Sequence, residues 1–188
     1  MIRLTKLLTP LFFLGLSAVS PDGAADEKTR DIAERVFRAN SLSEKDQLIK
    51  DLEELEKREQ KGDAGAKFYL AFHSEKLCRL TKNSELRTSS KLCSEAFARM
   101  RSVAENQAIR TIWLGPASME EFAKMHLDGI GVEPSAAIAS LWFAKTGRQL
   151  FENGHAEAAL RQVEAALNAM PDNPAALQLR DEIFLSQK

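Results

Sequence analysis

Three histidines, two cysteines and many carboxylates are the residues of this 188-residue chain that could do chemistry. Histidine can carry a proton near neutral pH or hold a metal. His73, His126 and His155 are scattered, and none has a companion at metal-ligand spacing. His126 lies two residues before Asp128, yet no Gly-x-Ser-x-Gly elbow presents a nucleophile for such a pair to activate. Its expected role is to pack between helices. The chain has no phosphate-binding loop and no dinucleotide fingerprint. A formal net charge of −1 gives no general grip on nucleic acid. The expectation is a protein that is not an enzyme, needs no cofactor or metal, and binds another protein or peptide segment.

The two cysteines belong to a different argument, which starts at the N-terminus. Arg3 and Lys6 make a positive start, Leu7–Val19 is mostly apolar, and Pro21 and Gly23 end the run before Ala24 and Ala25. The apolar stretch is short of the roughly 20 residues that cross a bilayer. Residues 1–25 therefore read as a secretory signal cleaved after Ala25. The expected location is outside the cytoplasm, in a periplasm, with no membrane insertion after cleavage. An oxidising compartment makes a disulfide the default state of two cysteines. Cys78 falls near the end of one expected helix and Cys93 near the start of the next, so an antiparallel hairpin would bring them together.

The elements that position these residues are helices. Ala, Leu, Glu, Lys and Arg dominate, and no segment alternates as a strand does. Apolar spacing predicts helices over 27–40, 44–61, 64–80, 90–113, 119–128, 135–152, 156–169 and from Pro174 onward. Ser43 with Asp46 and Ser118 with Glu121 resemble capping boxes, and Asn173 is placed to cap the last helix. Thr81–Ser89 reads as a polar loop, and Gly115-Pro116 as a helix stop. The run from Lys50 to Lys61 reads as a solvated charged face. Leu77 and Phe184 are expected to face inward, and the last helix to close the fold with a polar outer face. Residues 26–188 form one domain in this reading: a helix pair over 26–62, a segment with the disulfide over 63–116, repeats over 117–173 and a capping helix over 174–188.

Residues 122–147 carry Ala123, Gly129, Gly131, Val132, Ala139 and Trp142 at the spacing of a Sel-one-like repeat, which this stretch resembles. His126 stands where that family usually has Tyr, and Ser135 where it often has Asp. From about 140 the chain looks like a tetratricopeptide repeat, with Gly147, Gly154, Ala159, Ala166 and Pro171 at its small, turn and closing positions. The resemblance implies an all-α, antiparallel helix-hairpin repeat solenoid of about eight helices that binds protein. In the tetratricopeptide frame the helix over 135–152 lines the concave face, which would turn Leu141, Ala144, Arg148, Phe151 and Glu152 into a groove. In the Sel-one-like frame the same helix is a second helix and faces outward. Arg148 is the foremost partner-binding candidate, because a guanidinium grips a carboxylate bidentately. Trp113 either meets a partner or seals a junction between hairpins. The resulting expectation is a non-catalytic scaffold or adaptor in a cell-envelope complex. The alternative is an inhibitor or immunity protein that neutralises a toxic effector enzyme, and a third possibility is a hydrolase acting on envelope polymers.

Overall fold

The computed structural model describes residues 27–38, 45–81, 83–106 and 113–186. The proposed signal segment and Ser43 lie outside these residues. Among them the fold is all-α, with no strand and nine helices: α1 Glu27–Arg38, α2 Lys45–Gln60, α3 Ala64–Arg79, α4 Ser84–Ser89, α5 Lys91–Ala104, α6 Leu114–Asp128, α7 Ala136–Glu152, α8 Ala156–Ala169 and α9 Pro174–Ser186. Side-chain caps start five of them. Asp63, Asn83, Ser90 and Ser135 each accept from the backbone N–H three residues on, at 3.0–3.3 Å. Asn173 Oδ1 accepts from Ala175 and Ala176 at 3.0 and 3.2 Å. Such caps satisfy N–H groups that a helix leaves without internal partners.

Three local expectations are corrected. The polar stretch expected as a loop contains α4, whose final turn docks on the α6–α7 connection: Gly131 N–H donates to Arg87 O at 2.8 Å. Gly115 and Pro116 do not stop a helix but sit in the first turn of α6, where a missing N–H costs no helical bond. Ser118 is therefore inside α6, donating to Gly115 O at 2.9 Å, and no Ser118–Glu121 capping box forms. Finally, Asp51 is not part of a solvated face. It is 4% exposed and accepts from Arg35 Nε and Nη2 at 3.0 and 2.8 Å and from Gln47 at 3.0 Å. The Arg35 bonds hold its carboxyl below the usual range.

Packing follows chain order. Leaving α4 aside, every helix touches its successor, and α1, α3 and α7 also touch the next but one, α3, α6 and α9. Two apolar clusters result. The first is aromatic and sulfur-rich, with Phe68, Tyr69, Met100, Phe122 and Met125 buried among α1, α3, α5 and α6. The second is built on alanines, with Ala139, Ala144, Ala159, Ala166 and Ala176 around Phe143, Val163, Leu179 and Ile183. Small side chains let α7, α8 and α9 approach closely. Trp142 packs against both clusters. Leu77 and Phe184 are instead 43% and 52% exposed, so Ala176, Leu179 and Ile183 are the inner face of α9, and its outer face is not wholly polar. A buried polar chain locks the C-terminal hairpin. Asn173 Nδ2 donates to Ser140 Oγ, which donates to Ala166 O, both at 2.7 Å.

The Cys78–Cys93 disulfide is formed and joins α3 to α5, with Cα atoms 5.7 Å apart. Both residues are buried. Directly beside it, Gly131 occupies the left-handed region at φ 68°. An added Cβ there would lie 2.2 Å from Cys93 O.

Candidate binding face

Arg148 extends from α7 to α9 and forms a two-pronged ion pair with Glu182, its Nη2 donating to Oε1 at 3.1 Å and its Nη1 to Oε2. Gln178 donates to the same carboxylate at 2.9 Å. The bidentate geometry expected of Arg148 is thus present, with an acceptor from within the chain. Phe151 is half-buried against the alanine-rich cluster, whereas Glu152 is exposed. Ala144 is 4% exposed inside that cluster, and Leu141 is 49% exposed. These five positions share one face of α7 at helical spacing, with Leu141 and Glu152 exposed, Arg148 and Phe151 half-buried and Ala144 buried. Trp113, at the start of α6, is half-buried, edge-on to Phe68 with ring centres 6.1 Å apart and tilted on Tyr69, both of α3.

Two of the three histidines, His73 and His126, lie among packed helices. His126 is 6% exposed, edge-on to Phe97 and Phe122 at 5.1 and 4.8 Å. Burial, with Arg101 adding, pushes its pKa down, so it stays neutral. Burial likewise lowers His73. Among the described residues, no group of three or more His, Cys, Asp or Glu side chains could hold a metal ion. Among the described residues, an open groove of about 380 Å³ is lined by Ser84, Glu85, Thr88, Ser89, Glu133 and Pro134.

A more informative arrangement crosses α3, α6 and α8. Glu75 of α3 is fully buried and paired with Arg79, and Arg79 also reaches Asp128 of α6. One helical turn back along α6, Lys124 Nζ lies 2.7 Å from Glu120 and 2.8 Å from Glu121. Glu120 Oε2 then accepts from Gln162 Nε2 of α8 at 2.9 Å. Two acceptors on this seam have no partner, Glu75 Oε2 and Gln162 Oε1. Most buried polar atoms in proteins are paired, so two orphans on one seam are notable. The sequence did carry a signal for these residues. Glu75 lies seven positions after Phe68 and three before Cys78, on the buried stripe of α3. Gln162 lies three after Ala159 and four before Ala166, on the buried stripe of α8.

Electrostatics along the seam are uneven. Burial raises the Glu75 pKa, and the nearby Glu121 adds to the rise, together outweighing the attraction of Arg79. Burial works against charge on Arg79 and Lys124 too, but their carboxylate partners hold both firmly protonated. A carboxyl whose folded pKa is raised stabilises the fold while protonated. That contribution is whole below its ordinary value of 4.5 and is lost as pH climbs through the folded value. Glu75→Gln, which cannot ionise, should therefore gain on wild type as pH rises from 4 to 8. Urea melts across that range check this, and a stability difference that does not change with pH would contradict the assignment.

Comparison of the chain with protein-family models, with curated proteins and with solved structures finds no match.

Proposed function

We propose that this chain is an exported, non-catalytic scaffold that binds another protein through stacked helix hairpins of the Sel-one-like and tetratricopeptide kind. The seam on α3, α6 and α8 is the observation that carries the reading. Glu120 and Lys124 of α6, 21% and 30% exposed and joined to α8 by the Glu120–Gln162 hydrogen bond, offer a charged edge of the kind found at the rim of protein interfaces. The order of packing supports the hairpin stack. Pairs α1–α2, α3–α5, α6–α7 and α8–α9 leave α1, α3, α6 and α8 as first helices, and α1 touches α3 while α3 touches α6. The contacts of α7 with α6, α8 and α9 are compatible with one helix serving both repeats. The buried disulfide is compatible with export. Among the described residues no helix is long and apolar enough to cross a membrane.

Affinity capture from a cell-envelope extract, with residues 26–188 as bait, tests the reading. A partner retained by wild type should be lost from the double variant Glu120→Ala/Lys124→Ala, whose helicity is checked in parallel. Retention of the same proteins by both baits, or of none by either, would overturn it. A captured partner that is an enzyme and loses activity on binding would make the protein an inhibitor instead of an adaptor.

A further inference from the structure

We propose that α9 is a self-association surface, on which a second copy of this chain packs its own α9, antiparallel, about a twofold axis that passes between Arg180 and Asp181. The inner side of the helix is already occupied. Ala176, Leu179 and Ile183 are buried where α9 meets α7 and α8, and the Arg148–Glu182 ion pair ties the helix to α7. The outer side is open. Leu177, Asp181 and Phe184 follow one another at intervals of four and three, which puts them on one stripe of the helix, with Arg180 and Leu185 at its flanks. Leu177 is half-buried, whereas Phe184 and Leu185 are 52% and 67% exposed. Covering these apolar side chains is favourable.

The order of residues along the stripe identifies the occupant. Leu177, Arg180, Asp181 and Phe184 read apolar, basic, acidic, apolar, with equal spacing on either side of the 180–181 peptide bond. In an antiparallel twofold pair centred there, each position meets the one equally distant on the far side. Leu177 then meets Phe184 of the partner subunit, Arg180 meets Asp181 of the partner subunit, and each contact occurs twice. Within one chain Arg180 Nε and Asp181 Oδ1 are 3.5 Å apart, with the two side chains 42% and 68% exposed, so both stay open to a second charge. Parallel packing would instead set arginine against arginine and aspartate against aspartate. A helix of another protein could cover Leu177 and Phe184 only by matching both charges in order, whereas a second copy matches them by symmetry alone. The contact is small, since a helix of 13 residues is about 20 Å long, so the pair should be weak and concentration-dependent.

Self-pairing does not rest on the scaffold reading, and its test is separate. Sedimentation equilibrium of residues 26–188 over about 10 µM to 1 mM, the range suited to an interface below the standard size, should show the mass rising from one chain towards two. Phe184→Glu should hold the mass at one chain throughout, with Tm unchanged because the side chain lies outside the core. Arg180→Asp and Asp181→Arg each set like charges face to face, and each should weaken association about tenfold or more. The double variant Arg180→Asp/Asp181→Arg exchanges the charges and should restore association to within about threefold of wild type. A wild-type chain that stays single over the whole range, association that survives Phe184→Glu, or a double variant no better than the single ones would each overturn the proposal. A chain that stays single yet captures a partner through Glu120 and Lys124 would lose self-pairing and keep the scaffold function. A chain that pairs but captures nothing would do the reverse.

Discussion

Gly131→Val is expected to cost about 4 kcal/mol, combining left-handed backbone strain with overpacking against a neighbour that has nowhere to go. The residue stands at φ 68°, and its added Cβ would meet Cys93 O at 2.2 Å, Cys93 C at 2.6 Å and Phe97 Cβ at 2.8 Å. Two of those three atoms are backbone of α5, so a rotamer change gives no relief. Alanine at this position should be nearly as costly. Gly62 is the control. It too has positive φ, 89°, but nothing lies within 4 Å of its would-be Cβ. Gly62→Ala should then show only the backbone penalty, about 1 kcal/mol. Thermal and urea melts of the three variants decide the matter. Equal losses at 62 and 131 would mean that the close approach of the α6–α7 turn to α5 is wrong.

The second large effect concerns the disulfide. Cys78→Ala/Cys93→Ala should cost about 3 kcal/mol, the chain-entropy value for a 15-residue loop. For a domain of this size that is a fall in Tm of roughly 10 °C. The expectation is sharpened by burial. Both cysteines are at most 2% exposed, so the bridge also fills core volume between α3 and α5, and a reductant cannot reach it until the hairpin opens. Peptide mapping without reduction should find 78 and 93 linked in protein recovered from an oxidising compartment, while free thiols there would contradict the structure.

Much of the helix plan was legible because its signals are local. Asn173 and Pro174 announce α9, Gly129 ends α6, and Ser90 and Ser135 cap α5 and α7, each within a turn of the residue it governs. What was hidden depends on distant chain. Helix α4 spans six residues, too few to show a period. It is held by Gly131 and by Thr88 Oγ1 donating to Gly129 O at 3.4 Å, contacts more than forty residues away in sequence. Gly115-Pro116 is ambiguous by nature, since the same pair ends one helix or begins another according to what precedes it. Asp51, Glu75 and Gln162 each fall in apolar register, yet in helices rich in exposed charge a single polar residue on the buried stripe draws no notice. For Arg148 the sequence suggested a fork for a partner's carboxylate, and it could not show that Glu182, 34 positions on, pairs with it within the chain.

Only two tryptophans are present, and they stand at different depths of the same cooperative problem. Trp113 packs with the aromatic cluster alone, whereas Trp142 touches both clusters and lies edge-on to Phe122 at 5.0 Å under the ammonium of Lys145. The molecule thus carries its own pair of optical gauges. One reads the N-terminal cluster, and the other reads the seal between the clusters. Whether this chain melts as a single body or peels apart at α7 is encoded in the order in which those two indoles change their emission.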